Sequence, residues 1–101
     1  MWRFDKDWRG LRREVPWVSR PPSEYLREHV RMTIQPLDDP ASPRHLVEVI
    51  DQLLCEDMLM FSTDYPHAHF DDPIRSMPQG LPDELRPRIM AGNALATYRF
   101  E

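Results

Sequence analysis

Residues Met58–Pro73 read "MLMFSTDYPHAHFDDP": four unbroken apolar residues, then small polar groups, an acid, an aromatic, a proline and two histidines one residue apart. Met58, Leu59, Met60 and Phe61 do not alternate with polar residues, which predicts a strand covered on both faces, as in a parallel sheet. Asp64 then stands where that strand, "MLMFSTD", stops.

Just upstream, "DDPASPRHLVEVIDQLLCED" predicts a helix from Pro43 to Glu56. Ser42 suits the N-cap and Pro43 the first helical position, and Leu46, Val49, Ile50, Leu53 and Leu54 form one stripe. Before it, "HVRMTIQPL" alternates Val30, Met32 and Ile34 with Arg31, Thr33 and Gln35 until Pro36 removes a backbone donor, the pattern of a strand with two unlike faces. Strand, helix and strand in that order make a βαβ unit.

The flanks are shorter elements. Between Phe4 and Val15, Trp8, Leu11 and Val15 recur at helical spacing, an amphipathic arm that "VPWVSRPP" breaks. "PPSEYLREHV" predicts a second short helix with Pro22 in its first turn and Tyr25 and His29 on one face. Downstream, "GLPDELRPRIM" has Pro82, Asp83 and Glu84 in a first turn and Leu85 and Ile89 four apart, with Pro87 limiting regularity. A last helix, "NALATYRF", takes Asn93 as its cap after Gly92.

A chain of 101 residues is one domain at most, and 11 prolines against 3 glycines predict many rigid connections. The net charge of -4 is uneven: residues 1–31 carry eight Lys/Arg and five Asp/Glu, residues 32–101 five and twelve. The basic part also holds Trp2, Trp8 and Trp17, but its acids are interleaved and no RNA or DNA motif is present, so a nucleic-acid partner is not expected. Cys55 is the only cysteine, which rules out an internal disulfide and predicts a buried thiol in a reducing compartment. The start lacks the apolar core of a signal peptide and no run approaches the roughly 18 apolar residues of a membrane helix. The expectation is a soluble cytoplasmic protein.

Three segments together, "LRREVPWVSRPPSEYLREHVRMTIQPLDDP", "MLMFSTDYPHAHFDDP" and "LPDELRPRIMAGNALATY", resemble the C-terminal end of the amidohydrolase-related family of metal-dependent hydrolases and decarboxylases, which includes aminocarboxymuconate semialdehyde decarboxylase. The most specific pieces are "STDYPH", "FDDP" and "GNA". The resemblance implies a (β/α)8 TIM barrel, of which this chain is the C-terminal βαβα portion, incomplete as a lone chain. Residues 1–29 are then a Trp-rich arm with short helices, and residues 30–101 the last two strands with their helices. On that alignment "HVRMTIQPL" is the seventh strand and "MLMFSTD" the eighth.

Active sites of such barrels lie at the C-terminal ends of the strands, where Asp64 stands. In the family the eighth-strand aspartate binds a divalent metal, often zinc, and acts as general base or proton carrier; the resemblance gives Asp64 both roles. His67, in "DYPH", is implied near the site mouth, orienting Asp64 or touching substrate, with a structural bond to the loop backbone as the alternative. Gln35 and Thr33 face the barrel mouth or pack.

A barrel of this kind runs to roughly 250 residues, so the family's first-strand HxH pair and mid-strand histidines, which supply most metal ligands, are not in these residues. "HAH", His67 and His69, matches that pair in letters, but it follows the eighth strand. A separate site with Asp71 or Asp72 is the weaker reading, because such loop clusters are usually solvated. His29 and His45 are read as helix-surface residues, and Met32, Met58, Met60 and Met90 as core fillers.

Two function classes follow. In the first, the chain is the C-terminal subunit or fragment of an amidohydrolase-type enzyme. A partner polypeptide, or further copies in an oligomer, carries the rest of the barrel, and the substrate is a small organic acid or amide. In the second, it is a non-catalytic small subunit that stabilises or regulates a full-length relative. Retention of Asp64 at a strand end favours the first.

Overall fold

The computed structural model describes residues 1–37, 40–67 and 77–98. It divides into two compact units, Met1–Val30 and Arg31–Glu101.

In the first unit, α1 spans Trp2–Leu11 and α2 Pro22–His29. No residue of α1 is buried, in keeping with an arm rather than a core. The helix begins two residues before Phe4 and stops short of Val15, whose N–H makes a last helical bond to the Leu11 carbonyl at 3.2 Å. The Trp8 indole N–H donates to the Val18 carbonyl at 2.9 Å, which folds the connection back on α1. Pro22 opens α2 as expected, and Tyr25 and His29 stack with ring centroids 6.4 Å apart. The orphan N–H of Ser23 in the first turn of α2 is satisfied from α1, by the Asp5 carboxylate.

The second unit holds the βαβ element. Strands β1 (Met32–Thr33) and β2 (Leu59–Met60) pair in parallel, Met32 opposite Leu59 and Thr33 opposite Met60, with α3 (Pro43–Leu53) between them in sequence. Both strands are shorter than the sequence pattern predicts. Regular strand persists only where a neighbour supplies a ladder, and among the described residues each strand has one strand neighbour.

Helix α3 starts at Pro43 as expected, with Ser42 in extended conformation before it, but ends at Leu53 and not Glu56. Leu54 takes φ 51°, its N–H bonds the Asp51 carbonyl at 3.2 Å, and the Cys55 N–H bonds the Ile50 carbonyl at 3.3 Å. These paired bonds are a Schellman stop, with leucine where glycine is the usual residue. A 3-10 turn, Glu56–Met58, then leads into β2.

Ile34, Ile50, Cys55, Met58, Met60, Met77, Leu81, Leu85 and Ile89 form the core. Cys55 is therefore the buried free thiol expected, and burial pushes its pKa up. Met58 and Met60 are core fillers, whereas Met32 and Met90 are exposed, a correction to the sequence reading. Met32 lies on an apolar groove lined from β1 and the bend after it by Thr33, Pro36 and Leu37 and from α3 by Leu46 and Val49.

The terminal helices form one run: α4 (Leu85–Pro87), a π-helical stretch (Arg88–Gly92) and α5 (Asn93–Thr97). The irregularity expected at Pro87 is present. Asn93 is not a cap, however. Gly92 is itself helical at φ -57° and ψ -45°, and the Asn93 side chain is buried.

Candidate active site

Strand β2 delivers the chain to Asp64 through Phe61, Ser62 and Thr63, all half-buried. Two side-chain turns then bend the backbone: the Asp64 N–H donates to Ser62 Oγ and the Tyr65 N–H to Thr63 Oγ1, each at 3.3 Å. The short polar residues after the apolar run are what make these turns possible. Asp64 adopts φ 58°, a left-handed conformation that aspartate tolerates better than most residues and that is disproportionately found at functional sites. The His67 N–H closes the turn onto the Asp64 carbonyl at 2.9 Å.

This turn brings the two side chains together. His67 Nδ1 lies 3.0 Å from Asp64 Oδ1. The Asp64 side chain is 23% exposed and that of His67 70%, so the carboxylate is the sheltered member and the imidazole forms the rim. With Asp64 ionised, Nδ1–H donates to it, and in the neutral ring the acceptor lone pair then sits on Nε2. A carboxylate that fixes an imidazole tautomer is an arrangement that can hold and pass a proton.

Other residues singled out in the sequence are not part of this pair. Thr33 Oγ1 donates to the Gln35 carbonyl at 3.1 Å and Gln35 Oε1 accepts the Leu37 N–H at 3.1 Å, so both stabilise the bend after β1. His29 and His45 are exposed on their helices, as expected. His69, Asp71, Asp72 and the "FDDP" segment lie outside the described residues. Asn93 is the residue whose importance sequence reasoning misplaced. Its Nδ2 donates to the Glu56 and Leu59 carbonyls, both at 2.7 Å, tying the last helix to the start of β2. The motif "GNA" marked the position but not the contact.

A family model described as amidohydrolase matches residues 1–100. The chain belongs to the amidohydrolase family. No curated protein matches it. Membership carries a TIM-barrel fold and a hydrolase-type function, and the parallel β1–β2 pair fits an incomplete portion of such a barrel. Amidohydrolases generally use divalent metals, but among the described residues no three His, Cys, Asp or Glu side chains gather in a metal-binding group. The described part of this amidohydrolase chain therefore holds no complete metal site of its own. No helix among the described residues is long and apolar enough to cross a membrane.

Proposed function

We propose that this chain forms the C-terminal part of a metal-dependent amidohydrolase-type barrel, with Asp64 as a ligand to a divalent metal, zinc by preference, and as the proton carrier of the reaction. The observation that carries this reading is the placement of Asp64: a sheltered carboxylate in the segment that follows the C-terminal end of parallel strand β2, in a left-handed turn and hydrogen-bonded to His67. The remaining metal ligands come from the rest of the barrel, supplied by another polypeptide, an oligomer or further sequence. The parallel sheet supports the presence of such a neighbour, because among the described residues β1 has one strand neighbour, β2.

The chemistry supplied by the metal is activation of a water and polarisation of the substrate. The part of this chain is narrower. Asp64 accepts a proton, His67 fixes the orientation of its carboxylate from the solvent side, and the Ser62 and Thr63 turns hold the backbone behind both. Hydrolysis of a small organic acid or amide, or non-oxidative decarboxylation like that of aminocarboxymuconate semialdehyde decarboxylase, are both served by a carboxylate in this position. The buried free thiol of Cys55 supports placing the protein in a reducing compartment such as the cytoplasm.

Asp64→Asn in the assembled enzyme tests the proposal. The amide keeps the size and can still make side-chain turns, so assembly survives while the charge and the proton acceptor vanish. Turnover is expected to fall by at least about a hundredfold. Near-normal turnover, with metal content measured on the same sample, would leave the chain as a non-catalytic subunit.

A further inference from the structure

In a parallel ladder a residue sends its N–H and C=O to the same neighbour, and the next residue sends both to the opposite side. The Ile34 N–H donates to the Met60 carbonyl at 3.0 Å, so Met60 faces β1. Leu59 and Phe61 therefore present their backbone groups at the other, outer edge of β2.

That edge is occupied by the terminal helical run. The Phe61 N–H donates to the Ile89 carbonyl at 2.8 Å. The Leu59 carbonyl accepts from Asn93 Nδ2 at 2.7 Å, and the same nitrogen reaches the Glu56 carbonyl at 2.7 Å. The π-helical stretch makes this possible. The Asn93 N–H reaches back five residues to the Arg88 carbonyl rather than four, which releases the Ile89 carbonyl from the helix ladder and leaves it for the strand. Ile89 is fully buried and Asn93 nearly so, which keeps water from competing for these bonds. A ladder position that a strand would fill is thus filled by one helix carbonyl and one side-chain amide.

We propose that the terminal run is a seal on the outer edge of β2, built from Ile89 and Asn93, which must release Phe61 before any strand pairs there. The seal blocks edge-to-edge pairing on this side, a hazard that natural sheets manage in several ways. Its larger consequence rests on the barrel reading: a closed barrel joins its last strand to its first at this edge, so closure there proceeds through opening of the seal.

Amide hydrogen exchange of the full chain, followed residue by residue by NMR, tests it. The Phe61 amide is expected to exchange at least about a hundredfold more slowly than an unstructured amide, within about tenfold of Ile34 in the ladder. In Asn93→Ala, Phe61 should speed up by about tenfold or more while Ile34 changes by less than about threefold. An unprotected Phe61 in the wild-type chain overturns the seal without need of a variant. Equal acceleration of Phe61 and Ile34 would make Asn93 a general packing residue, and an unchanged Phe61 would remove it from the edge; either result overturns the proposal. None of these outcomes bears on Asp64, whose test is turnover in the assembled enzyme.

Discussion

Asp5 accepts both the backbone N–H and the hydroxyl of Ser23, at 2.9 and 2.7 Å, so that one helix caps the start of another eighteen residues away in sequence. The Ser23 hydroxyl bond, then the Ser23 backbone bond, hold the Asp5 carboxyl below its ordinary range. A carboxyl depressed by folding contributes stability that is present above its unfolded pKa and lost as the pH falls through the folded one. The α1–α2 unit is therefore expected to loosen on acidification from just below pH 4 downward. Circular dichroism of wild type and Asp5→Ala should differ at neutral pH and converge in acid; a difference that persists unchanged at low pH would show that the cap is not ionic.

Leu54 is 59% exposed and sits at φ 51°, where a side chain is strained and has little packing to offset it. Leu54→Gly should stabilise the protein by about 0.5–1 kcal/mol, the reverse of the usual cost of filling a left-handed position. Urea unfolding monitored by far-UV circular dichroism would measure it. A loss of stability would mean that Leu54 buries against something outside the described residues.

Gly80 has φ 77°, and a Cβ placed there would come within 2.8 Å of the Pro43 Cβ, a ring that cannot swing aside. Gly80→Ala is expected to cost at least about 1 kcal/mol, from the left-handed backbone and the clash together. Pro43→Ala leaves a Cβ in the same place, so it should not rescue Gly80→Ala. Rescue would point to the proline ring alone as the obstacle.

His67→Ala removes the 3.0 Å partner of Asp64 and should lower turnover or metal affinity of the assembled enzyme by about 10- to 100-fold, the usual effect of losing a group that orients a ligand. His69→Ala should leave the metal content unchanged, since its "HAH" follows the last strand rather than the first. Loss of one equivalent of metal in His69→Ala alone would reverse that assignment.

The helix starts at Pro22 and Pro43 were legible because proline and the residue before it impose local geometry whatever surrounds them. The parallel pairing of Met32–Thr33 with Leu59–Met60 was legible in the apolar run from Met58 to Phe61, which does not alternate with polar residues. The ends were not. Leu54 stops α3 through backbone bonds to Ile50 and Asp51, and nothing in the leucine side chain announces a left-handed residue. Asn93 after a glycine has the letters of a helix cap, yet burial against β2 outweighs that local preference and draws the side chain to two strand-side carbonyls. For the site, the sequence singled out Asp64 and, through the resemblance, His67 as a group that orients it; what it did not carry is the left-handed turn at Asp64 through which His67 Nδ1 comes within 3.0 Å.

All three tryptophans lie in the α1–α2 unit: Trp8 half-buried with its indole N–H on Val18 and the Arg12 guanidinium 5.1 Å from its ring centre, Trp2 and Trp17 exposed at 69% and 76%. The unit that carries Asp64 emits only through tyrosines such as Tyr65 and Tyr98. Excitation at the red edge of indole absorption thus watches one half of the molecule and is blind to the other. A fluorescence melt records the arm, and backbone dichroism records both. Any separation between the two curves is a direct optical reading of whether Met1–Val30 and the strand-bearing half lose their structure together.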